Sequence, residues 1–185
     1  SLIIKKYKKK IKNILLIKNQ KKRGQTHCYK IYLNKFKSNY FIRMDADNQD
    51  DPKHLITISK LILDGYDMIL TDRKLRKHPF YMIILNFIYD RLISFLIKKK
   101  LKTYSSSLAC FKTKSLAKKN LKFNDHRYLP IIAINNGVKK IKVFPVMHKI
   151  RIHGITKYGM FKKIIFALPE FLYFYYRLKK GFFSN

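Results

Sequence analysis

The run Asp45-Ala-Asp-Asn-Gln-Asp-Asp51 constrains this chain more than any other feature. It holds four of only ten acidic residues in a protein with 42 lysines and arginines. Just before it, Asn39-Tyr-Phe-Ile-Arg-Met44 reads as a short buried strand, aromatic and β-branched with few breakers. Pro52 follows and keeps the loop from being drawn back into the sheet. The carboxylates therefore stand where a strand ends and a loop begins, which is the crevice in which open α/β sheets bind ligands. Asp45 and Asp47, two positions apart, can converge on one hard cation, with Gln49 adding a neutral oxygen. Mg²⁺ or Mn²⁺ held by one or two carboxylates, with ligand phosphates completing the shell, suits such a set. The plainer reading is a solvated acidic turn with an Asx cap for the next helix, and from Asp-x-Asp alone the two readings stand level.

Length and composition narrow the class. A chain of 185 residues makes one ordinary domain with room for a real core. Its 47% apolar and 15% aromatic content excludes a disordered basic tail. The net charge of +32 favours partners that carry phosphate: nucleic acid, an anionic membrane surface or a phosphorylated small molecule. Lys, Ile, Asn, Phe and Tyr are abundant together, the bias of an AT-rich genome, and this accounts for part of the charge. Cys28 and Cys110 have no metal spacing and read as reduced, buried small residues in a cytosolic setting. Ser1-Leu-Ile-Ile runs into a lysine-dense stretch, so no signal-peptide pattern is visible. The near-apolar segment 80–97 has the length of a membrane span, but Asn86, Asp90, Arg91 and Ser94 interrupt it, and charge at its centre is costly in hydrocarbon.

Along the chain, residues 1–12 read as a basic frayed helix and Asn13-Ile-Leu-Leu-Ile-Lys18 as a strand. A short helix is expected from about Thr26 to Lys35, and another from about Pro52 to Asp64 with Gly65 ending it. Tyr66–Thr71 reads as a strand, and Asp72–Pro79 as a basic loop carrying Arg73 and Arg76. Residues 80–97 form the strongest helix, with Asn86, Asp90 and Ser94 as a narrow polar stripe. Such a helix is either packed on nearly all sides or lies in a membrane interface, and packing is slightly ahead on general grounds. A helix over 126–136 ended by Gly137 follows, with Asn124 and Asp125 as its caps. A strand over Lys139–Met147 comes next, where Pro145 implies a sheet edge. The tail 161–183 is aromatic and basic, broken at Pro169. Strands alternating with helices predict an α/β domain with a mostly parallel sheet.

Three segments, in order, resemble one family. Met44-Asp-Ala-Asp-Asn-Gln-Asp-Asp-Pro52 is similar to the metal-binding loop of the family 2 glycosyltransferases that include dolichyl-phosphate mannose synthases and bacterial polyprenyl-phosphate glycosyltransferases. Gly65-Tyr-Asp-Met-Ile-Leu-Thr-Asp-Arg73, with Arg76 and Phe80, resembles the segment in which that group places a strand, phosphate-facing arginines and a juxtamembrane helix. His126-Arg-Tyr-Leu-Pro130, Gly137, Val146-Met-His148, Arg151, Gly154 and Thr156-Lys-Tyr-Gly159 resemble its closing signature. Asn19 and Gly24-Gln25 echo a further segment. The resemblance covers roughly residues 13–165.

The resemblance implies a GT-A fold, Rossmann-like, that binds a nucleotide-diphosphate sugar and a divalent cation, Mg²⁺ or Mn²⁺. It implies inverting transfer of the sugar to a polyprenyl phosphate at the membrane surface. Asp45, Asp47 and Gln49 would hold the cation, and Arg73, Arg76, Arg151 and Lys157 would neutralise phosphate. It places a catalytic domain over 1–165 and an aromatic-basic, membrane-facing tail over 166–185, peripheral at the cytoplasmic, inner face of the membrane. Three departures are visible. The family's first strand and its Asp- and Ser-rich loop do not precede Asn13, which reads as N-terminal truncation. Thr103–Lys112 carries serines and Ala109 where relatives have Asp or Gly and a basic residue. The membrane-spanning helices of many relatives do not follow. Two other readings are a glycosyltransferase remnant without activity and, from charge alone, a nucleic-acid module. The latter leaves the acidic loop without a role and lacks zinc, RNP-like or helix-turn-helix patterns, so no nucleic acid is expected.

Overall fold

A computed structural model describes residues 2–74, 106–116, 120–122, 124–147 and 160–184, together with helical positions Ile84, Phe87, Ile88, Arg91, Ile93, Ser94 and Phe95. The elements are α1 (Leu2–Lys10), α2 (Gln25–Lys35), β1 (Tyr40–Arg43), α3 (His54–Leu63), β2 (Met68–Lys74), β3 (Ala109–Lys112), α4 (Leu129–Asn135), β4 (Ile141–Met147) and α5 (Met160–Lys179). Short 3-10 turns cover Thr113–Ser115 and Asp125–Tyr128.

The four strands lie in the order β1-β3-β2-β4. β3 is antiparallel to both neighbours, and β4 runs parallel to β2. Three strands thus point one way and β3 runs back between them, so the sheet is mixed. Successive strand side chains alternate faces, and here both faces are covered. Phe41, Met68, Leu70, Ala109 and Phe111 pack with α2, α4 and α5, while Ile69 and Cys110 pack with Ile58 of α3 on the other side. The α/β reading holds, as three layers.

Several local signals are realised. Gly65 takes φ +79° just past α3, and Tyr66 N–H closes on the Leu61 carbonyl at 3.1 Å. Gly137 takes φ +86° after α4, with Val138 N–H on the Ala133 carbonyl. Both are helix stops in which glycine tolerates the left-handed backbone. Pro145 sits opposite Asp72 on β4, which is an edge strand of the four-stranded sheet, as its missing N–H requires.

Other expectations are corrected. Residues 13–18 form no strand: their apolar run joins no ladder among the described residues, and β propensity is realised only against a partner. Asp72, Arg73 and Lys74 belong to β2, because pairing with Pro145, Val146 and Met147 carries that strand past residue 71. The helix over 126–136 begins as a 3-10 turn and becomes α-helical at Leu129, with Pro130 in its first turn. Asn124 makes no side-chain cap bond. Cys28 is exposed rather than buried, although Cys110 is buried. α5 runs through Pro169, with Phe171, Phe174 and Phe183 anchoring it in the core. In the 80–97 segment Ile93 is buried, but Ile84, Phe87, Ile88 and Phe95 are exposed. The described positions therefore do not show a helix packed on nearly all sides.

Candidate functional site

β1 points its C-terminal end at the acidic run, and β2 and β4 end at the same sheet edge because they run the same way. The loop after Arg43 divides its four carboxylates between two uses. Asp50 is buried and accepts a hydrogen bond from the Ser107 hydroxyl. Asp51 accepts from the backbone N–H of Lys53 at 3.0 Å, an Asx turn leading into α3. Asp45 and Asp47 are half-buried. Gln25 at the start of α2 donates its amide to Asp45 at 3.4 Å, and Gln49 N–H donates to Asp47 at 3.3 Å. Asn48 supplies the left-handed turn between them, φ +61°.

Behind the loop lies a buried polar frame. Arg43 is only 6% exposed. Its guanidinium donates to the backbone carbonyl of His126 at 2.7 Å and to that of Ser106, and stands over the Phe111 ring at 5.8 Å. Ser106 is fixed in turn by Thr71 of β2, whose hydroxyl also donates to the Leu108 carbonyl at 2.9 Å. Tyr29 of α2 packs edge-on to Phe41 and His126. Burial raises its phenol pKa, with the nearby Arg43 cation opposing and Asp45 adding to the rise.

The turn Asp125–Tyr128 joins this frame to two helices. His126 shares a hydrogen bond with the Thr26 hydroxyl of α2 at 2.9 Å. Its ring is buried, which lowers its pKa to about 4, and the Arg127 and Arg43 cations push the same way. His126 is thus a neutral packing residue. Asp125, expected as a cap, instead meets Arg177 of α5 in a buried ion pair, their side chains 2% and 3% exposed. Asn124 and Arg127 hold Glu170 of α5 at 2.9 and 3.4 Å.

Among the phosphate-binding candidates, Arg73 lies on β2 opposite Val146, at the same sheet edge as the acidic loop. Arg76, Arg151 and Lys157 lie outside the described residues, as do His148 and His153. Asp45, Asp47 and Gln49 share one loop of oxygen donors. That set fits a hard divalent cation, and among the described residues no three His, Cys, Asp or Glu side chains gather to form an all-protein cage. Mg²⁺ held by one or two carboxylates commonly completes its shell with water and ligand phosphates. Sequence reasoning missed Arg43, Asp50, Ser106 and Ser107. The one signal was an arginine at a strand position that faces the core beside Phe41.

The chain is 26% identical over 174 residues to a dodecaprenyl-phosphate galacturonate synthase from Rhizobium johnstonii, covering 91% of this chain and 52% of that protein. It is 28% identical over 142 residues to an undecaprenyl-phosphate 4-deoxy-4-formamido-L-arabinose transferase from Edwardsiella ictaluri, covering 76% and 43%. The chain thus spans about half the length of the curated relatives it matches. Residues 2–120, almost two thirds of the chain and including the whole acidic loop, match the description glycosyl transferase family 2. With a mixed α/β sheet of GT-A kind and the acidic loop at its strand ends, the chain belongs to glycosyl transferase family 2.

Proposed function

We propose that this chain forms the catalytic region of an inverting glycosyltransferase that moves a sugar from a nucleotide-diphosphate donor to a polyprenyl phosphate. The observation that carries the reading is the pair Asp45 and Asp47 at the end of β1, on the sheet edge where β2 brings Arg73. The names of both matched relatives specify a polyprenyl-phosphate acceptor. Asp45, Asp47 and Gln49 would hold Mg²⁺ or Mn²⁺. The bound cation would supply Lewis-acid stabilisation of the charge on the departing nucleoside diphosphate. Arg73 and Arg76 would neutralise donor or acceptor phosphate, with Arg151 and Lys157 closing over the same charge. An acceptor phosphate is already an anion at neutral pH, so the reaction needs no strong general base, and positioning and electrostatics supply the rate.

The proposal assigns residues 1–165 to catalysis and 166–185 to a tail that faces the membrane at its inner, cytoplasmic surface. No helix among the described residues is long and apolar enough to cross a membrane. On α5, however, Leu168, Leu172, Tyr173 and Tyr176 are about half exposed, with Lys179 and Lys180 beside them. The helix's one acidic residue, Glu170, is held by Asn124 and Arg127. An exposed apolar-aromatic face rimmed by lysine suits an anionic lipid surface, where each basic residue contributes about 1 kcal/mol.

The test is calorimetric titration with UDP-, GDP- and dTDP-sugars, with and without Mn²⁺, on the chain and on Asp47→Ala. Metal-dependent binding that Asp47→Ala abolishes is the expected result. A folded chain that binds no donor would overturn the reading.

A further inference from the structure

Arg43 is a charged group on the buried face of a four-residue strand, at a position that alternation assigns to the core. Burying a guanidinium is costly unless its protons are satisfied. Here two of them meet main-chain carbonyls that lie far away in sequence, at Ser106 and His126. Ser106 also ties to Thr71, so one branch reaches β2. His126 also ties to Thr26, so the other branch reaches α2, whose Gln25 touches Asp45. The Asp125–Arg177 pair locks the same turn onto α5. Arg43 thus stands two residues before Asp45 at the meeting point of three segments, two of which touch the acidic loop through Ser107–Asp50 and Gln25–Asp45.

We propose that Arg43 is a positioning residue for the Asp45–Gln49 loop: its planar fork sets where β1 ends and so fixes how the two carboxylates are presented to a divalent cation. Arginine suits this task because two carbonyls in different directions need a rigid, multi-donor head. Groups that orient metal ligands without touching the metal commonly change metal affinity 10–100-fold when removed. The inference rests on the reading of the loop as the metal and donor site.

The experiment titrates Mn²⁺ into the full chain with saturating UDP or GDP, read by electron paramagnetic resonance at a temperature where each variant is fully folded. Wild type, Asp47→Ala, Arg43→Met and Arg43→Lys are compared. The expected result is that Arg43→Met weakens Mn²⁺ binding at least about 10-fold. Arg43→Lys, which keeps the charge and donors but not the planar fork, should restore part of that affinity. Equal Mn²⁺ affinity in wild type and a folded Arg43→Met would overturn the positioning role alone. Absence of any Asp47-dependent site in wild type would overturn the reading of the loop and this role together. If Arg43→Met fails to fold, Arg43→Lys decides: weakened binding in a folded protein supports the role, and unchanged binding overturns it.

Discussion

Two carboxylate-bearing regions lie toward one end of the sheet, and they differ in how deeply their carboxylates are buried. In the turn 125–128, Asp125 is sealed against Arg177 and also accepts the Lys122 N–H at 2.6 Å. In the loop 45–51, Asp45 and Asp47 are half-buried and reached by neutral donors at 3.4 and 3.3 Å. The turn is a structural joint, with the Arg177 guanidinium also stacked over the Tyr173 and Phe183 rings. In the loop, Asp50 is buried on the Ser107 hydroxyl and Asp51 makes the turn into α3, while Asp45 and Asp47 stay half-buried. In a chain of net charge +32, burial separates the sealed joint from the more open loop, whereas acidity alone does not.

Substitutions should separate the regions by what they change. Arg177→Met should have the largest effect on stability, a loss of about 3–5 kcal/mol in urea unfolding, because it strands a buried carboxylate. A loss under about 1 kcal/mol would show that the turn is not the joint described.

His126 should come next. Its folded pKa of about 4 lies below its ordinary 6.5, so the unfolded chain takes up the proton first as pH falls. The stability it contributes is therefore complete above pH 6.5 and lost between about 6.5 and 4, on the order of 2 kcal/mol with its partial exposure. Unfolding followed against pH should show that slope in wild type and a flatter one in His126→Gln.

Asp67, at the opposite end of the sheet, gives a smaller and separate acid step. The Lys112 ammonium at 2.7 Å and the Lys140 and Lys139 amides lower its pKa to about 2. Its contribution is present above its ordinary value of 3.8 and lost as pH falls through about 2. Asp67→Asn should flatten the pH 4-to-2 limb and leave the higher one alone.

Asp47→Ala should move the unfolding midpoint least, by under about 0.5 kcal/mol, while abolishing metal-dependent donor binding. A large loss of stability from this substitution would collapse the distinction between the two regions.

The sequence made the frame of the site readable where the physics is local. An aromatic, β-branched run before Asp45 marked a strand end, Gly65 and Gly137 marked helix stops, and Pro145 marked an edge. Those signals depend on each residue's own backbone preferences. Arg43 and Asp125 were opaque for the converse reason. The partners of Arg43 are 63 and 83 residues away and that of Asp125 is 52 away, and no periodicity reveals which distant carbonyl or cation will arrive. The run 13–18 failed in the same way, since a short apolar run with two isoleucines promises a strand that only a neighbouring strand can complete. The exposed apolar face of α5 was half legible: composition announced an aromatic-basic tail, but not that Phe171 and Phe174 would turn inward while Leu172 and Tyr176 turned out.

The two cysteines give the molecule a built-in clock. Cys110 lies in β3 at the middle of the sheet, with no exposed surface and a thiol that burial pushes up to about 12, while Cys28 on α2 is open to solvent. A thiol reagent at neutral pH should modify Cys28 promptly and reach Cys110 only when the strands separate. The delay between the two reactions measures how often the sheet opens, in the unaltered protein, with one residue serving as the surface reference for the other.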